Sequence, residues 1–192
     1  NERGGGIYNV RGLLTISSST ISGNRSNTQS GGGILNHQSS GTIINSYILG
    51  NISGNSGAVG GGGIFNETNS SLTIVSSTIS GNRGGKGGGI LNNRSTLILS
   101  NSFLSMNYVA GGLPRGGGIY STGNGSSASL IIQNSTISLN SASYRGGAIY
   151  NKNNSTFTIS SSSLAGNISN DEGGGIFNSL SSGTFINSTL SG

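Results

Sequence analysis

The side chains that could carry out catalysis are few in this chain. Its acids are Glu2, Glu67, Asp171 and Glu172, and its one histidine is His37. Hydrolases and lyases need clustered carboxylates, or a carboxylate-bound metal with a basic partner, to move protons at the scissile bond. Only Asp171 and Glu172 are neighbours, in a segment expected to be a solvated turn, and we expect no acid beside His37. The sequence therefore predicts a protein that is not an enzyme and uses no cofactor or metal.

Positive charge is concentrated in one kind of segment, between an SGN motif and the GGG motif that follows it. Such an edge attracts an acidic polymer, either extracellular polysaccharide or nucleic acid. The alternative is that these charges only keep a chain rich in glycine and serine soluble. We expect no aromatic residues interleaved with them, which argues against nucleic acid as a partner. Six of the nine basic residues form this basic edge: Arg3, Arg25, Arg83, Lys86, Arg115 and Arg145.

The chain is built from seven copies of one unit. Each copy begins with a GGG or GGA motif followed by isoleucine, and these isoleucines recur every 26 to 30 residues. That period is typical of solenoids, in which each unit buries its apolar face against its neighbours. The seven isoleucines are Ile7, Ile34, Ile64, Ile90, Ile119, Ile149 and Ile176.

The pattern inside each copy predicts strands. The block LTISSSTISGN at 14–24 aligns without a gap on LTIVSSTISGN at 72–82. Apolar residues two apart, with Thr or Ser between them, are typical of strands, and no segment has the spacing of an amphipathic helix. We predict three short strands per coil, GGGIYN, LTIS and STIS, in coils of about 28 residues. Seven coils would form an all-β, single-stranded parallel β-helix about 34 Å long.

Asparagine closes two of the predicted strands at a fixed position in almost every copy. Stacked amides hydrogen-bond from coil to coil, and asparagine tolerates the positive φ of a tight corner. We therefore interpret both columns as structural. The corner asparagine ladder, after the third strand, contains Asn24, Asn51, Asn82, Asn107, Asn140 and Asn167. The first-sheet asparagine ladder contains Asn9, Asn36, Asn66, Asn92, Asn151 and Asn178, with Ser121 as the exception.

The residue after each isoleucine of the GGGI motif is large and apolar. If the isoleucine points inward, its neighbour points outward, because side chains alternate along a strand. An exposed apolar column could stack on sugar rings or pack against another chain. The alternative is a wide corner that leaves both residues partly inside. This apolar ladder contains Tyr8, Leu35, Phe65, Leu91, Tyr120, Tyr150 and Phe177.

A third column is a candidate ice-binding surface, because flat threonine arrays on β-helices are suited to bind ice. Aromatic residues and a serine interrupt this column, which spoils a regular match to the ice lattice. Ice binding is therefore the least favoured function, and measurable thermal hysteresis would revive it. The column contains Thr20, Tyr47, Thr78, Phe103, Thr136, Ser163 and Thr189.

The repeated GGGIYN and LTISxSTISGN motifs resemble those of right-handed parallel β-helices in large secreted or surface-anchored bacterial proteins. The GGAI motif at 146–149 is similar, more loosely, to the GGAI repeats of chlamydial polymorphic outer-membrane proteins. The resemblance covers essentially the whole chain. It implies right-handed winding, an extracellular or cell-surface location and an adhesive or structural role.

The two ends of the sequence match each other. The terminal STLSG followed by the initial NERGGGIYN restores the repeat in frame. We therefore expect residues 1–192 to form a single β-helix domain, either an uncapped segment of a longer solenoid or a subunit that stacks end to end into a filament. The runner-up function is a surface adhesin or carbohydrate-binding module that uses the apolar ladder.

The expected partners follow from these functions. They are further copies of the chain and extracellular polysaccharide, with no nucleic acid. We also expect no membrane span, because no run approaches the ~18 to 20 apolar residues that a span requires. Glycans are a further possibility if the host glycosylates Asn-X-Ser/Thr sequons in loops. The loop sequons are Asn69, Asn93, Asn124, Asn153 and Asn154.

Overall fold

The computed structural model describes residues 4–27, 30–54, 60–109, 111 and 114–192. Arg3 of the predicted basic edge lies outside the described residues, as does Glu2. The regular secondary structure of the described residues consists of strands, and none of these residues forms a helix that could span a membrane.

The strands follow one another in the same order in every copy. Coils one and two contain β1 (Ile7–Val10), β2 (Leu13–Ser17), β3 (Thr20–Ser22), β4 (Arg25–Ser26), β5 (Ile34–His37), β6 (Ser40–Ile44), β7 (Tyr47–Leu49) and β8 (Ile52–Ser53). Coils three and four contain β9 (Ile64–Glu67), β10 (Ser71–Val75), β11 (Thr78–Ser80), β12 (Arg83–Gly84), β13 (Ile90–Asn93), β14 (Thr96–Ser100), β15 (Phe103–Ser105) and β16 (Tyr108–Val109). Coils five and six contain β17 (Ile119–Thr122), β18 (Ala128–Gln133), β19 (Thr136–Ser138), β20 (Ser141–Ala142), β21 (Ile149–Lys152), β22 (Ser155–Ser160), β23 (Ser163–Ala165) and β24 (Ile168–Ser169). Coil seven contains β25 (Ile176–Ser179), β26 (Ser182–Ile186) and β27 (Thr189–Ser191).

Equivalent strands of successive coils pair in parallel and form four sheets. The first, second and third sheets each have seven strands, and the fourth has six, so the solenoid makes about six turns. The all-β parallel solenoid is confirmed, but the prediction of three strands per coil is wrong. The fourth strand is only two residues long, as in Arg25–Ser26, and is too short to show an alternation of apolar and polar residues. Right-handed winding stays a prediction.

The isoleucines of the GGGI motif form one interior column, as predicted. Each is the register partner of the next, from Ile7 through to Ile176. The five between them are completely buried in the main apolar core, together with the leucines and isoleucines of the second and third sheets. A thin core of one or two apolar residues per strand therefore runs through the solenoid.

The GGG motif is required because backbones approach each other closely. A Cβ atom at Gly32 would lie 2.6 Å from the carbonyl carbon of Ile52 and closer still to the carbonyl oxygen of Gly62 in the next coil. Real Cβ atoms do not come this near to other backbones. The motif therefore packs the start of each coil directly against its fourth strand and against the next coil.

The corner asparagines form a hydrogen-bonded ladder, and each interior member is fully hydrogen-bonded. The Oδ1 atom of Asn82 accepts from the side-chain and backbone nitrogens of Asn51, at 3.0 and 2.9 Å. Its Nδ2 atom donates to Asn107 Oδ1 and to the carbonyl oxygen of Ile48, both at 2.9 Å. Buried amides are tolerated only when their donors and acceptors are paired in this way. The ladder therefore fixes the register of every coil on the next.

The first-sheet asparagine ladder is interrupted in coil five. Asn66 Nδ2 donates to Asn92 Oδ1 at 3.0 Å, but the next hydrogen bond, from Asn92 Nδ2 to Ser121 Oγ, is long at 3.4 Å. The short side chain of Ser121 bonds to Ser155 at 2.8 Å, and the buried Oδ1 atom of Asn151 is left without a hydrogen-bond partner. The exception noted in the sequence is therefore a local defect in the hydrogen bonding.

Serine forms a further ladder that the sequence patterns did not indicate. The backbone nitrogen of Ser77 donates to Ser102 Oγ at 3.0 Å, and that hydroxyl donates to the carbonyl oxygen of Ser100 at 2.7 Å. The preceding residue has positive φ, as at Ser76 and Asn101. The ladder links Ser19, Ser46, Ser77, Ser102, Ser135, Ser162 and Ser188.

Candidate functional site

The apolar ladder is mostly buried, so the prediction of an exposed column is wrong. Its five central members have exposed fractions of 5% or less. Their side chains project from the outer face of the first sheet, as the alternation predicts. They pack there in a second apolar cluster that is separate from the main core. Tyr8 is 37% exposed and Phe177 is half-buried. Both columns are therefore buried, but in two separate clusters on opposite faces of the first sheet, and not inside one wide corner.

Part of the apolar ladder is an aromatic stack. The ring centroids of Tyr120 and Tyr150 are 5.1 Å apart with an interplanar angle of 13°, and those of Tyr150 and Phe177 are 4.9 Å apart at 9°. These separations match the strand spacing of about 4.8 Å, so one ring stacks per coil. Burial and the neighbouring Tyr150 raise the pKa of Tyr120 to about 12.

Basic side chains cover this stack. Lys86, Arg115 and Arg145 are register partners in successive coils, and each lies over a ring of the next coil. The Lys86 Nζ atom is 5.7 Å from the centroid of Tyr120. The guanidinium carbon of Arg115 is 5.5 Å from the ring of Tyr150, and that of Arg145 is 5.0 Å from the ring of Phe177. Cation–π contacts of this kind are favourable at partly desolvated sites. These three members of the basic edge are therefore engaged by the apolar ladder.

Aromatic residues are interleaved with the basic edge, contrary to expectation. Arg83 lies 5.9 Å from the ring of Tyr108, and both Arg115 and Arg145 lie over the ring of Tyr144, at 5.2 and 4.5 Å. Both tyrosines lie in the segments of variable length between the third strand of one coil and the GGG or GGA motif of the next, where the copies do not align. The composition of this edge therefore no longer speaks against nucleic acid as a partner. Arg25 remains an exposed member of the edge.

The adjacent acids are held by one cation. Arg145 Nε lies 3.0 Å from Asp171 Oδ2 and 3.0 Å from Glu172 Oε2. Both carboxylates are thus part of a surface ion-pair cluster, which agrees with the expected solvated turn. Among the described residues, no group of three or more His, Cys, Asp or Glu is arranged to hold a metal ion. Catalytic inactivity stays a prediction.

His37 does have an acid beside it, so that expectation is wrong. Its register partner is Glu67, and His37 Nδ1 lies 3.0 Å from Glu67 Oε1. The same column continues with Asn93, Thr122 and Lys152 at the ends of the next three first-sheet strands. The pairing of His37 with Glu67 is visible in the sequence when the copies are aligned one residue past the first-sheet asparagine.

A pocket opens between this column and the apolar ladder. Leu91 and Asn93 are two residues apart on one strand, and Tyr120 and Thr122 are two apart on the next, so all four side chains lie on the outer face. The pocket has a volume of about 210 Å³. We name it the cationic pocket, and its lining residues are Lys86, Leu91, Asn93, Tyr120, Thr122, Asn124 and Lys152.

The cationic pocket is lined by two partly desolvated ammonium groups and by two residues with unpaired oxygens. Burial lowers the pKa of Lys86, and the charges of Lys152 and Arg115 lower it further. Burial and the charge of Arg115 likewise lower the pKa of Lys152. Thr122 is only 6% exposed, and its Oγ1 atom has no hydrogen-bond partner; neither has the buried Oδ1 atom of Asn93. Sequence reasoning did not identify this pocket.

The predicted glycosylation sites differ in accessibility. Asn69, Asn124 and Asn154 are exposed, whereas Asn93 and Asn153 are half-buried. Because the Oδ1 atom of Asn93 is buried in the pocket wall, Asn93 is the least suited of the five to carry a glycan.

Among the described residues, the most exposed aromatic side chains lie on the third sheet. Tyr47 is 51% exposed and Phe103 is 57% exposed, in the column that was tested for ice binding. They interrupt the outer face formed by Thr20, Thr78 and Thr136. This arrangement agrees with the view that the column is not a regular threonine array.

One segment of the chain matches a described family. Residues 134–152 match the Chlamydia polymorphic membrane protein repeat, and this segment contains β19, β20 and β21. Together with the parallel solenoid, the match makes the chain a β-helix repeat protein that resembles the chlamydial repeats. Neither the curated proteins nor the solved structures contain a match to the chain.

Proposed function

We propose that this chain is a non-enzymatic structural segment of an extracellular fibre at the cell surface, in which stacked coils form a rigid rod. The observation that carries the proposal is the identical register of all four sheets. Every coil offers the next one the same backbone groups, the same corner asparagine and the same interior isoleucine. Such a lattice extends by simple addition of coils.

The seventh coil leaves apolar side chains uncovered. Leu190 is 54% exposed, although its register partner Leu164 is completely buried. Phe185 is 39% exposed, and its partner Ile159 is completely buried. A further coil, supplied by a longer chain or by a second copy, would cover this apolar surface and pair with the open strand edges.

The family match supports a surface location. The matching repeat is described as belonging to a polymorphic membrane protein, which is consistent with a surface-associated repeat protein. The buried ladders suit a passive rod, and the four acids of the chain leave little catalytic chemistry to perform.

Assembly is tested by light scattering over a concentration series, with negative-stain electron microscopy of the same samples. We expect scattering that rises with concentration and filaments one solenoid wide. The variant Leu190→Lys puts a charge into the open interior of coil seven and should abolish filaments. The matched control Thr189→Lys changes the outward neighbour and should retain them, with folding of both variants checked by circular dichroism. A monodisperse particle of 19.1 kDa in all three samples would overturn the proposal.

A carbohydrate-binding adhesin is the second candidate, although most of the apolar ladder is buried. The observation that favours it is the exposure of Tyr47 and Phe103. They are two coils apart, a separation of about 9.6 Å along the rod, and each could stack on a sugar ring. Loss of glycan-array binding in the double variant Y47A/F103A would support this candidate. Unchanged binding would exclude Tyr47 and Phe103 as the sugar-binding residues.

A further inference from the structure

We propose that the cationic pocket binds an anionic pyranose ring, the carboxylated or sulfated sugar unit of an acidic polysaccharide. The proposal goes beyond the structural role of the rod, because a rod requires no pocket. It follows from the unpaired polar atoms, the charge and the size of the site.

The unpaired oxygens call for a polar ligand. Buried polar atoms are normally hydrogen-bonded, and leaving them unpaired costs free energy. Asn93 Oδ1 can accept a hydrogen bond, and the Thr122 hydroxyl can donate or accept one. Sugar hydroxyls, which both donate and accept, would satisfy these two buried atoms once the Asn93 and Thr122 side chains turn toward the pocket that they line.

The charge of the pocket selects an anion. Lys86 approaches from the segment before the GGG motif, and Lys152 lies at the end of β21. None of the lining residues is acidic, so the two ammonium groups repel each other without a counter-charge inside the pocket. A carboxylate or sulfate between them would replace this repulsion with two charge-assisted hydrogen bonds.

The size of the pocket suits one ring. A cavity of about 150 Å³ accommodates benzene, so the volume of about 210 Å³ accommodates a single six-membered ring with its substituents. Leu91 and Tyr120 supply an apolar wall, which suits the C–H face of a pyranose. Sugar sites commonly combine such a wall with a few placed polar groups.

Neighbouring coils fill the equivalent column differently. In coils two and three the column holds His37 and Glu67, and these two side chains pair with each other. In coils four to six it holds Asn93, Thr122 and Lys152, which lie around the pocket. The pocket therefore arises along a strand-end column that carries a different residue in each of these coils.

The test is titration of the whole chain carrying Leu190→Lys, which should not assemble, with galacturonic acid, galactose 6-sulfate, galactose and sodium acetate. Binding is monitored by NMR chemical-shift perturbation. We expect saturable shifts for at least one anionic sugar, centred on Thr122 and Lys152, and affinity at least about tenfold weaker for galactose and acetate. Tighter binding of galacturonic acid would identify a carboxylate as the preferred anion, and tighter binding of the sulfate ester would identify a sulfate. Acetate as tight as the anionic sugars, or galactose as tight as either, would overturn the proposal.

Variants separate the pocket from general electrostatics. Lys152→Gln and Thr122→Val should each weaken binding of the preferred anionic sugar, by about tenfold for the lysine. Arg25→Gln removes the same charge from an exposed position outside the pocket and should leave the affinity unchanged. An equal loss in Arg25→Gln would show diffuse attraction and would contradict a built site. None of these results depends on filament formation, so failure here leaves the structural proposal standing.

Discussion

Single positions determine how well each coil bonds to the next. In the first-sheet asparagine ladder one amide oxygen per coil accepts the hydrogen bond that the previous coil donates. Ser121 breaks this chain, and the result is one buried acceptor, Asn151 Oδ1, without a partner. The defect was visible in the sequence as an exception to the column. The structure adds the consequence: Ser121 bonds to Ser155 instead, and Asn151 Oδ1 loses its donor.

We predict that Ser121→Asn stabilises the protein. The new amide would donate to Asn151 Oδ1 and accept from Asn92, which repairs both sides of the defect. A net gain of about 1 kcal/mol in the free energy of unfolding is expected for a buried hydrogen bond of this kind. Thermal unfolding followed by circular dichroism should show a higher midpoint than for the wild type. As a control, Ser121→Ala removes the serine bonds without repairing the ladder and should lower it; a midpoint for Ser121→Asn at or below that of the wild type would contradict the prediction.

At the scale of the elements, the first sheet is covered on both faces. Its inner face packs in the main core, and its outer face carries the apolar ladder beneath the basic side chains. The alternation of side chains predicted correctly which residues leave each face. It could not predict what lies over the outer face, because the covering residues come from loops of variable length. The two-residue fourth strand escaped detection for a related reason, since two residues have no periodicity.

We predict that Arg115 stabilises the outer cluster. Its guanidinium group lies over the rings of both Tyr144 and Tyr150. Arg115→Ala should lower the free energy of unfolding by about 1 to 2 kcal/mol, because two partly desolvated cation–π contacts are lost. The matched control is Arg11→Ala, where an exposed arginine bonds to Gln38 and the expected loss is below about 0.5 kcal/mol. Chemical denaturation of both variants measures the difference, and equal losses would show that the stacking over the rings contributes nothing specific.

At the scale of the whole molecule, the repeat predicts the architecture but not the site. The spacing of the isoleucines and the two asparagine columns was sufficient for the parallel solenoid, because these residues repeat in every coil. The cationic pocket depends on residues that do not repeat, such as Asn93, Thr122 and Lys152. It was therefore hidden from an argument based on consensus. Features that distinguish one coil from the others are where specific function is to be sought in this protein.

The most direct test of the structural proposal is X-ray fibre diffraction from aligned filaments of the chain. If coils add along the solenoid axis, the pattern will contain a meridional reflection at about 4.8 Å, the spacing of strands in successive coils. The variant Leu190→Lys should give no aligned filaments and no such reflection. Filaments whose strand-spacing reflection lies on the equator, perpendicular to the fibre axis, would contradict the account, because the strands would then run along the fibre instead of across it.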